Sequence, residues 1–134
     1  MQKKRAAFYF DGFNLYHALD ALRQAHLKWL SLHGLGDLLI PSRDVFDVYY
    51  LVSADTDLAP AIRLLKREFP QKEFVSVATP RRQHSSEFLR LADRTLKITE
   101  NALAKCLVPA GLAGKDGKAI VRPPQYDPPK GASR

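Results

Sequence analysis

Three short apolar runs, Ala6–Phe10, Val48–Val52 and Phe74–Val77, are separated by stretches whose apolar residues recur at helical spacing. This alternation constrains the fold more than any other feature of the chain. After the first run, Leu15, Ala18, Leu19 and Leu22 predict a helix from Asn14 to about Ala25, and a second helix spans about Ser31–Ile40 and stops at Pro41. After the second run, Leu58, Ala61, Ile62, Leu65 and Phe69 share one helical face, with Pro70 as the stop. Ser85 is placed to cap a further helix to about Arg94, Leu96–Ile98 reads as a fourth short strand, and a helical turn follows through Cys106. Strands alternating with helices predict an α/β domain, a parallel sheet with helices on both faces. In such sheets ligands bind outside the carboxyl ends of the strands.

The 134 residues, 46% of them hydrophobic, suit one domain with a single core. That domain is expected over residues 1–110. Residues 111–134 carry four glycines, four prolines and five Lys/Arg against two Asp, and are expected to form a flexible basic tail without regular structure. No apolar run is long enough to span a bilayer, and the basic start Met1–Arg5 leads into too short an apolar run for a signal peptide, so a cytoplasmic protein without membrane contact is expected. The lone cysteine, Cys106, excludes a disulfide framework or a cysteine-based zinc cluster and is expected to be packed. A net charge of +7 points toward a polyanionic partner such as nucleic acid. The oligomeric state stays open, a homo-oligomer included.

Two of the strands end in acids: Phe8-Tyr9-Phe10-Asp11 and Leu51-Val52-Ser53-Ala54-Asp55-Thr56-Asp57. Neighbouring strands lie ~4.8 Å apart, so adjacency would put these carboxylates in one pocket. Clustered carboxylates repel, and folding alone gives no reason to gather them. A Mg²⁺ or Mn²⁺ ion turns that repulsion into binding, and its chemistry suits phosphodiester hydrolysis. The ordinary alternatives are that Asp57 and Asn14 cap helices and that Asp11-Gly12 is a turn.

The loop after the third run, with Arg81, Arg82 and His84, falls on the same side of the sheet and could hold phosphate, or simply be solvated. Ser85 could offer its hydroxyl to a phosphate or serve as an N-cap. Asp93 is a weaker candidate, near the site or paired with a cation. His17, His26 and His33 lack metal-ligand spacing, and Trp29 and Tyr16 are expected to pack, although Tyr16 could stack on a base.

Tyr9-Phe10-Asp11-Gly12-Phe13-Asn14 resembles the opening Asp-Gly-x-Asn motif of NYN domains of the LabA-like group, and Ser53-Ala54-Asp55-Thr56-Asp57 is similar to that group's Ser-Gly/Ala-Asp-Ser/Thr-Asp motif. Lys28-Trp29-Leu30, Leu39-Ile40-Pro41-Ser42-Arg43, Pro80–Ser85 and Ala92-Asp93 extend the resemblance over residues 5 to about 109. It implies a PIN-like, Rossmann-like fold and a metal-dependent ribonuclease. Asp11, Asp55 and Asp57 would hold Mg²⁺ or Mn²⁺, these acids and Asn14 would serve catalysis, and Arg81, Arg82 and Ser85 would bind RNA. Such domains usually carry a further strand, further helices and another site carboxylate between the Ile-Pro-Ser-Arg stretch and the second acidic strand. Here Arg43 runs into Asp44-Val45-Phe46-Asp47 and then the strand, which reads as an internal deletion. Asp44 and Asp47 precede their strand, on the side away from the site. This departure opens a second reading, a catalytically impaired NYN-type module that binds RNA or regulates. A haloacid-dehalogenase-like enzyme is disfavoured because its Asp-x-Asp would follow the first strand. A dinucleotide-binding domain is disfavoured because no glycine-rich turn follows any strand.

Overall fold

A computed structural model describes residues 6–39 and 47–131. The basic start Met1–Arg5, the proline stop at Pro41, the Ile40-Pro41-Ser42-Arg43 stretch and Asp44 lie outside these residues.

Four strands, β1 (Ala6–Phe10), β2 (Val48–Val52), β3 (Glu73–Ala78) and β4 (Arg94–Lys97), form one sheet in the order β1-β2-β3-β4. All three pairings are parallel, with Phe10 beside Val52, Val52 beside Val77, and Val77 beside Leu96. The fold is α/β and Rossmann-like, as the alternation predicts. β2 is buried along its whole length, which is why it reads as an unbroken apolar run rather than an alternating one.

Successive side chains of each strand point to opposite faces, and each face has its own core. On one face Phe8, Phe10, Tyr50, Val52, Val75 and Val77 meet Leu15 and Leu19 of α1 (Gly12–Ala21), Leu35 of α2 (Leu32–Leu39) and Leu103 of α5 (Glu100–Lys105). The rings of Phe8 and Tyr50 stack there with centroids 4.3 Å apart. On the other face Tyr49, Leu51 and Phe74 meet Ala59 and Ile62 of α3 (Ala59–Glu68) and Phe88 of α4 (Ser86–Leu91). Burying one such aromatic ring stabilises the fold by ~1.5–3 kcal/mol.

The connections have an unusual consequence. From β1 to β2 and from β2 to β3 the sheet grows in one direction, but α1 and α2 lie on one face and α3 on the other. Two parallel crossovers that step the same way over opposite faces have opposite hands, so one of them is left-handed, against the strong right-handed preference.

Helix ends follow local chemistry. α1 stops at Ala21, earlier than expected, where Arg23 adopts a left-handed conformation at φ 52°. α3 ends at Glu68, and Phe69 and Pro70 close it as the sequence predicts. α4 is shorter than predicted because the Asp93 amide already donates to Phe74 and Arg94 belongs to β4.

The expectation of a structureless tail is corrected. Residues Gly111–Ala113 (β5) and Ala119–Val121 (β6) form an antiparallel hairpin, closed by the Gly114 amide donating to Lys118 at 2.8 Å. Gly117 sits at φ 75°, and a Cβ on Gly114 would come within 2.7 Å of the Lys118 carbonyl, so this turn needs glycine at both places. Beyond it Tyr126 stacks on Trp29 with ring centroids 6.3 Å apart, and the Trp29 indole donates to the Pro109 carbonyl.

Candidate functional site

β1 and β2 deliver their following residues to one edge of the sheet. The Asp11 amide donates to the Val52 carbonyl at 3.1 Å and so extends the ladder by one residue. From there the chain after β1 enters α1 on one face, while the chain after β2 enters α3 on the other. The two loops diverge from the carboxyl end of the sheet, the end at which α/β sheets bind ligands.

Ser53 joins the two loops. The residue is only 3% exposed, and its hydroxyl donates to Asp11 Oδ2 at 2.8 Å and accepts from the Asp55 amide at 2.9 Å. A buried hydroxyl without partners is costly, so both contacts hold the loops in register. The other Asp11 oxygen, Oδ1, accepts from the Asn14 amide and caps α1. Asp55 Oδ1 accepts from the Asp57 amide and caps the 3₁₀ turn Thr56–Leu58. The caps are therefore Asp11 and Asp55, not Asn14 and Asp57 as the sequence alone suggests.

These roles bear on the metal expectation. Ser53 links the Asp11 carboxylate to the main chain of Asp55, not to its carboxylate. Among the described residues no group of three or more His, Cys, Asp or Glu side chains is close enough to hold a metal ion. The three acids are not gathered into one ligand set, because Asp11 and Asp55 each turn toward the unpaired amides at the start of their own helix. Each oxygen keeps a further lone pair, and hard carboxylate oxygens fit one loosely held Mg²⁺ or Mn²⁺ with water in the remaining positions. They do not fit a two-ion centre.

The remaining predicted residues fall in two places. Arg81, at φ 57°, turns back onto Glu100, with Nε 2.9 Å from Oε1. Arg82 is exposed, and its amide donates to the Thr79 carbonyl. Ser85 acts as a cap, accepting from the Phe88 amide at 3.1 Å. This loop follows β3 on the correct side of the sheet. Two strand spacings separate β1 from β3, so the loop leaves the sheet roughly 10 Å from the Asp11 strand, the reach of a few nucleotides. His84 Nδ1 lies 3.1 Å from the Ser76 hydroxyl, and burial, then the Lys97 charge, holds its pKa below the usual histidine value.

Asp93 is at the opposite end of the sheet. Its Oδ2 accepts from the Phe74 amide and from Lys66, both at 2.8 Å. Burial pushes its pKa up, but these two donors outweigh it and the carboxyl titrates below its ordinary value. It is a structural pair, not a site residue.

Tyr16, expected to pack, is exposed, and so is Phe13 near Asp11. Phe13 is 77% exposed and Tyr16 is 51% exposed on the first turns of α1. Lys28 Nζ lies 4.7 Å from the Tyr16 ring centre. Phe13 was legible as the residue off the Leu15–Leu19 face, three before Tyr16, a spacing that puts both rings on the solvent side.

A parallel α/β sheet with acids at adjacent strand ends is the class that fold and site define. Compared with protein-family models, with curated proteins and with solved structures, the chain finds no match.

Proposed function

We propose that this chain is a metal-dependent ribonuclease of NYN, PIN-like type, weak in activity and selective for single-stranded RNA. The observation that carries the reading is the Asp11–Ser53–Asp55 linkage, at the carboxyl end of two adjacent parallel strands. Asp11 and Asp55 would hold one Mg²⁺ or Mn²⁺, with Asp57 adding negative charge nearby. When bound, such an ion lowers the pKa of a coordinated water and stabilises charge on a phosphodiester. Asn14 offers its side-chain amide to the substrate from the first turn of α1. Phe13 and Tyr16 present ring faces on which unpaired bases can stack, and Arg81 and Arg82 supply cations to the backbone further along. The +7 net charge favours an RNA partner over a neutral one.

The test is cleavage of a labelled single-stranded RNA in Mn²⁺, Mg²⁺ and EDTA. Cleavage is expected to be faster in Mn²⁺ than in Mg²⁺, to stop in EDTA and to be abolished by Asp55→Asn. Arg81→Ala is expected mainly to weaken RNA binding. Cleavage that persists in EDTA, or in an Asp11→Asn, Asp55→Asn double variant, overturns the reading.

A second reading, an RNA-binding or regulatory module without catalysis, is favoured by the lack of a three-acid group among the described residues. Mn²⁺ titration separates the two. The ribonuclease reading requires Mn²⁺ affinity that falls on Asp11→Asn, and the module reading predicts RNA binding indifferent to the metal.

A further inference from the structure

β1 is the edge of the sheet, and among the described residues only β2 pairs with it. The Asp11 amide faces β2, so by alternation Tyr9 and Ala7 also direct their main-chain groups inward, and Ala6, Phe8 and Phe10 direct theirs outward. Edges of this kind are normally blunted by a lysine, a proline or a bulge. Ala-Ala-Phe-Tyr-Phe has no charge and no proline, and its register with β2 runs unbroken from Ala6 to Phe10.

We propose that a second copy of this chain pairs with this edge, antiparallel and two-fold about Phe8, to make one continuous eight-stranded sheet. In this register Ala6 faces the partner copy's Phe10, Phe8 faces Phe8, and Ala7 faces Tyr9. Each large side chain meets a small one, apart from the aromatic pair on the axis. The outward-directed residues form the hydrogen-bonded pairs, so all their main-chain groups are used. A shift by two residues in either direction loses both the size match and a pair.

The pocket beside β1 and the exposed Tyr9 ring favour a second copy over another occupant. A pocket of about 370 Å³ beside β1 is lined by Ala6, Ala7, Tyr9, Tyr49, Leu65 and Phe69, among others. Tyr49 lines one wall, its hydroxyl turned into the protein and buried without a hydrogen-bond partner among the described residues. Tyr9 is 57% exposed. Across from Ala7 it is placed to lay its ring against that pocket in the other copy, beside that copy's own Tyr9. The dimer does not depend on the ribonuclease reading.

Sedimentation equilibrium of the full chain tests it. A dimer is expected at micromolar concentration, and Tyr9→Lys or Ala7→Lys is expected to weaken it about tenfold or more. Both positions are exposed, and circular dichroism checks that each variant folds. Register is tested by oxidation of mixed Ala7→Cys and Tyr9→Cys proteins. Their Cα atoms would lie ~4.5 Å apart, within disulfide range. A mixed disulfide forming faster than either self-disulfide supports the pairing. A monomer at high micromolar concentration, a dimer indifferent to Tyr9→Lys, or self-disulfides forming as fast as the mixed one overturns it.

Discussion

The Thr79 hydroxyl is buried at the end of β3 without a hydrogen-bond partner among the described residues. A buried polar group left unsatisfied costs ~1–3 kcal/mol, and an apolar group of the same shape removes that cost. Thr79→Val is therefore expected to stabilise the protein by about 1 kcal/mol, read as a higher urea midpoint at unchanged slope. His84 makes a second residue-scale prediction. Its folded pKa lies below the unfolded value, so between the two the unfolded chain binds more protons and stability rises with pH. The contribution is fully present above about pH 6.5 and is lost as pH falls through the depressed folded value. Urea midpoints measured from pH 7.5 downward should fall less steeply in His84→Gln than in the parent. Equal slopes would show that His84 is not the group responsible. Asp93 acts in the same direction at lower pH, because its carboxyl must be protonated against Lys66 and the Phe74 amide.

At the scale of elements, the sheet strands and their helices were legible because each satisfies a simple period, two for strands and 3.6 for helices. The C-terminal hairpin was missed for a physical reason. Its glycines and prolines suggest a chain that cannot bury enough surface to fold. Yet Asp116-Gly117, between Leu112 and Ile120, is a turn signal between short apolar segments. What holds the segment is its contact with the body through Trp29 and Tyr126, which no local pattern announces. Trp29 is the sole tryptophan, so its fluorescence reports this docking. Removal of residues after Ala110 is expected to shift Trp29 emission to the red with little change in far-ultraviolet dichroism. A loss of the parallel sheet in that experiment would make the hairpin part of the folding unit. Gly114→Val should produce the same shift, since a Cβ there collides with the Lys118 carbonyl.

For the whole molecule, the charge balance makes the RNA reading quantitative. If Phe13 and Tyr16 stack on bases and Arg81 and Arg82 contact phosphates, the two kinds of variant should differ in salt dependence. Arg82→Ala should lower the slope of log affinity against log salt by roughly one unit, and Phe13→Ala should weaken binding with the slope unchanged. Filter binding at several salt concentrations measures both, and identical slopes for the two would sink the division of roles.

The sequence by itself determined the strands and helices of the parallel sheet, its parallel arrangement and the delivery of Asp11 and Asp55 to its carboxyl end, because apolar periodicity and strand-ending acids are local properties. Only the tertiary structure decided what those acids do there. Helix starts with unpaired amides compete with any metal for Asp11 and Asp55, and the buried Ser53 hydroxyl needed two partners. The tertiary structure also decided which strand lies at the edge and which face each helix covers. Both depend on how distant segments pack, and that information is not carried by any one window of the chain.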